Sequence, residues 1–238
     1  MLESDSFLDK CAAGLPTKIT MCFSAEASFI VGGSLLVVGT AIIGKVNERK
    51  DYPVALIPFV FAAQQITEGL LWISLAHNNL LTQFWLGNLY GSFVGIIWPL
   101  YAPLAIYFAE TDAYRKKIIG LIGIAGAALS VYTVIELTSQ PVTVEIINQH
   151  IYYEHNVHAY PLIILLYLLA TCMPFILSSF RKLRLTGYII TLGFVVAFSI
   201  YTTTFVSVWC FFAAVASALI FFHFAGSINK PLSLFERK

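Results

Sequence analysis

Long, almost uninterrupted apolar runs are the feature of this sequence that most constrains its fold. A helix that crosses a bilayer needs roughly 20 mostly apolar residues, because about 30 Å of hydrocarbon is crossed at about 1.5 Å per residue. Seven stretches meet this requirement, at residues 23–44, 52–76, 84–109, 118–137, 158–180, 187–204 and 207–224. They predict an all-α fold, a seven-helix transmembrane bundle. Six crossings with one re-entrant or interfacial segment are the alternative.

The composition excludes the main soluble classes. Of the 238 residues, 58% are hydrophobic and only 11% are charged. An ordinary soluble domain is about 45–50% apolar and about 25% charged. Too few charges are left to cover a water-facing surface, which excludes a soluble enzyme, a disordered chain and a nucleic-acid binder. We therefore expect the lipid bilayer as the main partner, in the plasma membrane or, for a bacterium, the inner membrane.

The basic residues predict an orientation, because short cytoplasmic loops retain Lys and Arg. Most of them follow the first, third, fifth or seventh predicted helix: Lys45, Arg49, Lys50, Arg115, Lys116, Lys117, Arg181, Lys182, Arg184, Lys230, Arg237 and Lys238. This pattern places the N-terminus outside and the C-terminus inside. We divide the chain into an outer extension (1–20), the bundle (21–228) and a cytoplasmic tail (229–238), with Met21 as an alternative start.

The largest predicted loop lies on the outer side, at residues 138–157. Within it, two segments rich in β-branched and aromatic residues, 142–147 and 150–155, flank Asn148 and Gln149. Such a pattern predicts a small β-hairpin.

Glu68 is the most informative polar residue. It lies outward of the centre of the second predicted helix by roughly 6 Å at helical rise. A carboxylate in hydrocarbon costs roughly 2.5–3.5 kcal/mol, so we expect Glu68 to face protein or water and to hold a proton readily. Gln64, Gln65 and Trp72 share its helix face at spacings of three and four. The set predicts one wall of a polar cavity, and an interhelical hydrogen-bond clasp is the structural alternative.

Residues at the starts of the first and last helices are further candidates. Glu26 could cap the first helix or line the same pocket. Ser207 and Cys210 share one face of the last helix, where close packing of small side chains is the simpler interpretation. Trp209, beside them, is predicted at interface depth, where membrane anchoring is its default interpretation, and the pocket hypothesis includes it.

Two histidines suggest a metal site as an alternative chemistry. His155 and His158 are three residues apart, and with Glu26 or Glu68 they would offer the nitrogen and carboxylate ligands that suit zinc. This spacing is common by chance, and a solvated outer loop is the simpler interpretation, so we expect no cofactor. A retinal Schiff base is excluded, because no predicted helix contains a lysine in its interior.

Three strings resemble the signatures of a family of uncharacterised microbial multi-pass membrane proteins. They are CFSAEASF at 22–29, QQITEG at 64–69 followed by Trp72, and SVWCFFAA at 207–214. The resemblance extends from Met21 to about Ser227. It implies a helical integral membrane protein and supplies no activity. The triple-histidine membrane hydrolases related to alkaline ceramidase also have seven helices, but their Ser, Asp and paired-His motifs are not matched here.

These observations predict a pocket that opens outward and binds or translocates a small molecule, an ion or a proton, with Glu68 as the protonatable group. The predicted pocket residues are Glu26, Gln64, Gln65, Glu68, Trp72, Trp209 and Cys210. The first alternative is a metal-dependent intramembrane hydrolase that uses His155, His158 and a glutamate. The second is a non-catalytic sensor or assembly subunit whose polar groups are paired, without a cavity. The sequence leaves open the ligand and whether the chain forms a homo-oligomer.

Overall fold

The computed structural model describes residues 24–147, 150–154, 160–200 and 204–225. Within these residues, six helical segments are long and apolar enough to cross a membrane. They are Ala25–Ile43, Arg49–Ala76, Leu80–Ala109, Ala113–Ser139, Arg181–Ile200 and Phe205–Ala225. The predicted fold class is thereby confirmed at this level: the chain is a helical integral membrane protein.

The helices follow the predicted apolar runs, with several interruptions. In chain order they are α1 (Ala25–Ile43), α2 (Tyr52–Ala55), α3 (Ile57–Ala76), α4 (Leu80–Ser92), α5 (Trp98–Ala109), α6 (Ala113–Ser139), α7 (Tyr160–Thr171), α8 (Met173–Leu177), α9 (Arg181–Ile200), α10 (Phe205–Ser217) and α11 (Ile220–Ala225). A 3-10 turn precedes α2, and a π-helical turn (Phe93–Ile97) joins α4 to α5. The segments around α3 and α10 are the most buried, whereas α6 lies at the periphery of the bundle.

Within the described residues, the fifth predicted crossing is the one that does not form a helix long enough to cross a membrane. It is divided into α7, with 12 residues, and α8, with 5 residues, on either side of Cys172. Pro174 lies in the first turn of α8, where its missing N–H costs nothing, but it cannot extend the hydrogen bonding of a preceding helix. Length and composition therefore support six crossings, and the seventh stays a prediction.

Two basic clusters that we expected in loops lie inside helices. Arg115 is in the first turn of α6, and Arg181 begins α9. Helix α6 begins this early because the Asp112 side chain caps it, accepting the backbone N–H of Arg115 at 2.8 Å. These two helices therefore extend beyond the predicted apolar runs.

The predicted β-hairpin is confirmed. Strand β1 (Thr143–Ile147) pairs antiparallel with β2 (His150–Glu154), with Thr143 opposite Glu154 and Ile147 opposite His150. The hairpin lies on α4, because the Val142 N–H donates to Asn88 Oδ1 at 3.1 Å and the Val144 side chain lies against Gly87. We call this end of the bundle the hairpin end.

The opposite end of the bundle is held together by Glu110, a residue that the sequence did not single out. Its buried carboxylate accepts the backbone N–H groups of Thr111 and Asp112, both at 2.9 Å. It also accepts the backbone N–H of Ser179 at 2.8 Å and the Ser179 hydroxyl at 2.5 Å. These bonds join the α5–α6 loop to the α8–α9 loop. We call this the basic end, because the Arg115 and Arg181 clusters begin the helices that leave it.

The π-helical turn and the start of α5 pack closely against α6. A side chain at Gly126 would collide with the Pro99 carbonyl oxygen. The Ser130 hydroxyl donates to the Ile96 carbonyl at 2.8 Å. Such turns widen a helix locally and occur frequently at functional sites. In this bundle the turn faces a cavity.

Candidate functional site

Three polar residues of α3 are buried together in the interior of the bundle. Gln64 and Gln65 are fully buried, and Glu68 is 2% exposed. Glu68 Oε1 accepts the hydroxyl of Ser207, from α10, at 2.5 Å, and Oε2 accepts Gln65 Nε2 at 3.4 Å. The thiol of Cys210, one turn further along α10, lies beside the same carboxyl group and the Gln64 amide. The structure thus brings the strings QQITEG (64–69, in α3) and SVWCFFAA (207–214, in α10) together in one polar cluster.

Two tyrosines bring further hydroxyl groups to Glu68. The Tyr153 hydroxyl, from β2, lies 3.5 Å from Glu68 Oε1, and the Tyr90 hydroxyl, from α4, lies beside Glu68 and Cys210. The two rings stack with centroids 4.5 Å apart and planes 6° from parallel. Burial, and then the nearby Glu68 charge, raise the pKa of Tyr153 well above its ordinary value. Tyr153 is therefore a neutral hydrogen-bond donor at physiological pH.

Gln64 connects this cluster to α5. Its Oε1 accepts the indole N–H of Trp98 at 2.6 Å, and the Trp98 ring stacks on Phe61 at 3.9 Å. Four buried polar atoms in this region make no hydrogen bond of ordinary geometry with the described residues: Gln64 Nε2, Gln65 Oε1 and the hydroxyls of Tyr90 and Tyr167. Buried polar groups are nearly always hydrogen-bonded, so such a group requires a specific explanation.

A cavity of about 410 Å³ lies between the hairpin, the π-helical turn and helices α6, α7 and α10. Its aromatic lining residues are Tyr90, Tyr132, Tyr152, Tyr153, Tyr167 and Trp209, with Phe205 at one side. Glu68 does not line it. Because Tyr90 and Tyr153 line the cavity and also lie beside Glu68, the stacked pair forms the wall between the cavity and the carboxyl group.

The other predicted pocket residues differ in burial and in their contacts. Trp209 is 4% exposed and its indole N–H donates to the Ile190 carbonyl at 3.3 Å, so interpreting it as an interface anchor is wrong. It packs in the core because it belongs to the most buried face of α10. Trp72 is only partly buried. Glu26 is exposed in the first turn of α1, whose capping side chain is Ser24, so it lies outside the buried cluster.

The predicted metal site stays a prediction. His155 and His158 lie outside the described residues. Among the residues that are described, no group of three or more His, Cys, Asp or Glu side chains is placed to hold a metal ion. The polar cluster around Glu68 offers one carboxylate, amides, hydroxyls and a thiol.

Three residues of the site were not predicted from the sequence. Tyr90, Trp98 and Tyr153 are aromatic residues in apolar or β-branched surroundings, where burial is their ordinary role. A signal existed for Tyr153, because the period of two in β2 places it on the same face as Ile151, which is fully buried. Tyr90 and Trp98 carry no comparable pattern, and only the packing of α4 and α5 on α3 identifies them.

Comparison with other proteins gives a family but no activity. No curated protein and no solved structure matches this chain. A family described as "Family of unknown function (DUF6629)" matches residues 21–233. This match agrees with the resemblance to an uncharacterised membrane-protein family and covers most of the chain, so the protein belongs to the DUF6629 family.

Proposed function

We propose that this membrane protein binds or translocates a small molecule, an ion or a proton at the cavity of the hairpin end. Glu68 is its protonatable group. The observation that carries the proposal is a buried carboxyl group separated from a cavity of about 410 Å³ by two tyrosine rings whose hydroxyls reach it. Ligand sites are concave, mostly apolar and of roughly 300–1,000 Å³, with a few polar groups placed for orientation.

The hydrogen bonds of Glu68 suit a group that gains and loses a proton. Its partners are a serine hydroxyl, a tyrosine hydroxyl and a glutamine amide. A hydroxyl group can rotate and either donate or accept, so Ser207 can pair with the ionised or the protonated carboxyl group. The bonds from Gln65 and Tyr153, at 3.4 and 3.5 Å, are long enough to be exchanged for a ligand or water.

The cavity and the buried polar atoms without an ordinary hydrogen bond argue against a purely structural clasp or an assembly subunit. Such a role predicts that each buried polar group is paired and that the helices close around them. Gln64 Nε2, Gln65 Oε1 and the Tyr167 hydroxyl lack an ordinary hydrogen bond within the described residues, and of these three Tyr167 lines the cavity. A ligand or water in the cavity would pair the Tyr167 hydroxyl.

We also propose seven crossings with the basic end in the cytoplasm. Helix α6 runs from the basic end to the hairpin, and α9 begins again at the basic end, where Ser179 bonds to Glu110. The chain between them, α7 and α8, must return across the bundle, and residues 160–177 span roughly 27 Å as helix, close to the hydrocarbon thickness. Lys45 lies over the ring of Phe221, and Phe180 packs on His223, which brings a further basic residue to this end.

Proton uptake by reconstituted protein tests the role of Glu68. Proteoliposomes that contain a pH-sensitive dye receive an external acid step, and proton entry is compared between the native protein and Glu68→Gln. We expect the native protein to respond with a pH dependence that the variant loses, while Glu145→Gln, on the exposed hairpin, behaves as native. An identical response of native and Glu68→Gln protein, with the same thermal unfolding, would show that Glu68 is a structural clasp.

A further inference from the structure

The chemistry of the cavity walls identifies a class of ligand. We propose that the cavity binds an organic cation, a protonated or quaternary amine with apolar substituents. This inference rests on the proposed function, because it names what occupies the same cavity. It is carried by the aromatic lining, by the charge distribution around the cavity and by the position of Glu68.

The lining supplies an aromatic enclosure. Five tyrosines and one tryptophan face the cavity from α4, α6, α7, α10 and the hairpin, so aromatic rings surround it on several sides. Trp209 and Tyr167 meet edge to face with centroids 5.3 Å apart. The face of an aromatic ring attracts a cation, most strongly when both are removed from water, and quaternary ammonium ions are bound in proteins by such enclosures.

The charges around the cavity favour a cation over an anion. None of the described residues that line it carries a charge. Glu68 lies beside the ring pair of Tyr90 and Tyr153, which line the cavity. A phenol that donates to a carboxylate gains electron density, so the tyrosine pair presents a more negative face to the cavity. An anionic ligand would meet Glu68 and these rings without a cationic partner.

The remaining lining favours apolar substituents on that cation. Val94 from the π-helical turn, Leu129 from α6 and Ile164 from α7 complete the walls. The lining residues offer a small, strongly hydrated cation only neutral tyrosine and threonine hydroxyl side chains in place of its water shell. The Tyr167 hydroxyl, which lines the cavity, makes no hydrogen bond of ordinary geometry with the described residues and could accept an ammonium N–H.

Binding of a matched pair of probes tests the ligand class. Benzyltrimethylammonium and its neutral isostere neopentylbenzene have the same shape and differ in charge. Each is measured by equilibrium dialysis against the full-length protein in nanodiscs, with empty nanodiscs as the blank. We expect the cation to bind about tenfold or more tightly than the isostere, because several rings and Glu68 contribute.

Two variants locate the source of this preference. Glu68→Gln and Tyr132→Leu should each reduce the affinity for the cation several-fold and leave the affinity for the isostere almost unchanged. Glu145→Gln removes one negative charge at the same end of the bundle, from an exposed position, and should have little effect. Near-native thermal unfolding of each variant is the folding control.

The outcomes separate this inference from the proposed function. Equal or tighter binding of the neutral isostere contradicts an organic cation but leaves a small-molecule site in place. Absence of binding by both probes also contradicts the inference, whereas the proteoliposome measurement decides the role of Glu68 independently. Suppose that native and Glu68→Gln protein give the same proton response, while the native protein still prefers the cation to the isostere. That result would contradict the proposed proton role and would leave the organic-cation inference in place.

Discussion

Among the described residues, each end of the bundle buries one glutamate carboxylate, and the two carboxylates have different kinds of hydrogen-bond partner. At the basic end, Glu110 accepts three backbone N–H groups and one hydroxyl at 2.5–2.9 Å. At the hairpin end, Glu68 is held only by side chains, at 2.5, 3.4 and 3.5 Å, and a cavity lies behind the neighbouring rings.

This difference separates a structural carboxylate from an adaptable one. A backbone N–H can only donate, so three of the four partners of Glu110 are fixed donors. Hydroxyl groups can donate or accept, so the environment of Glu68 tolerates both the ionised and the protonated carboxyl group. Burial alone therefore does not indicate function, and the kind of donor around a buried acid decides what it can do.

The largest effect is expected at the basic end. The Glu110→Gln substitution places an amide nitrogen, itself a donor, where a carboxylate oxygen accepted an N–H group, and it removes the charge from four hydrogen bonds. We expect a loss of about 2–4 kcal/mol in the free energy of unfolding. Thermal and denaturant unfolding in detergent measure it. Glu48→Gln, at an exposed residue paired with Lys50, is the control and should change little.

The corresponding substitution at the hairpin end should cost much less. In Glu68→Gln the hydroxyls of Ser207 and Tyr153 can rotate to satisfy the new amide, so we expect a loss below about 1 kcal/mol in the same unfolding measurement. If Glu68→Gln is as destabilising as Glu110→Gln, the distinction between the two carboxylates is wrong.

The Ser207→Ala substitution should have an intermediate structural effect and a clear functional one. It removes the shortest hydrogen bond to Glu68, which is expected to cost about 1 kcal/mol of stability. It should also change the pH dependence of proton uptake in proteoliposomes. Ser217→Ala, on the same helix, removes a hydroxyl that bonds only to the backbone carbonyl of Ala214. That variant should lose similar stability and keep the native pH dependence.

The smallest effect at neutral pH is expected for Tyr153→Phe, since its hydrogen bond at 3.5 Å is long and the ring stack is retained. At alkaline pH the two proteins should diverge. The pKa of Tyr153 is raised in the folded protein, so its contribution is fully present below pH 10 and is lost as the pH rises above that value. Tyr153→Phe should therefore lose less stability than the native protein as the pH rises above about 10.

Much of the architecture could be predicted from local patterns. The apolar runs located the helices because crossing hydrocarbon demands a minimum length, and the β-branched segments around Asn148 and Gln149 located the hairpin. Helical spacing placed Gln64, Gln65 and Glu68 on one face, and the cost of a carboxylate in hydrocarbon predicted that Glu68 faces protein or water. These properties depend on residues close to one another in the chain.

Other features depend on contacts between distant segments, and sequence reasoning missed them. Glu110 carries no distinguishing local pattern at the end of its apolar run, because its partner Ser179 lies 69 residues further along the chain. Trp209 was assigned an interface alternative from its depth, yet it is buried between α7 and α9. The break at Cys172 shows that an apolar run can satisfy a length criterion and still contain two helices.

The sequence by itself determined that this chain is a helical membrane protein with a polar face on its second helix, because hydrophobicity and periodicity are local and cumulative. Only the tertiary structure decided that Ser207 and Tyr153, which lie far along the chain, complete that face, and that aromatic rings separate it from a cavity. The physical reason is that hydrogen-bond partners and empty volume arise from how helices pack, which no single segment encodes.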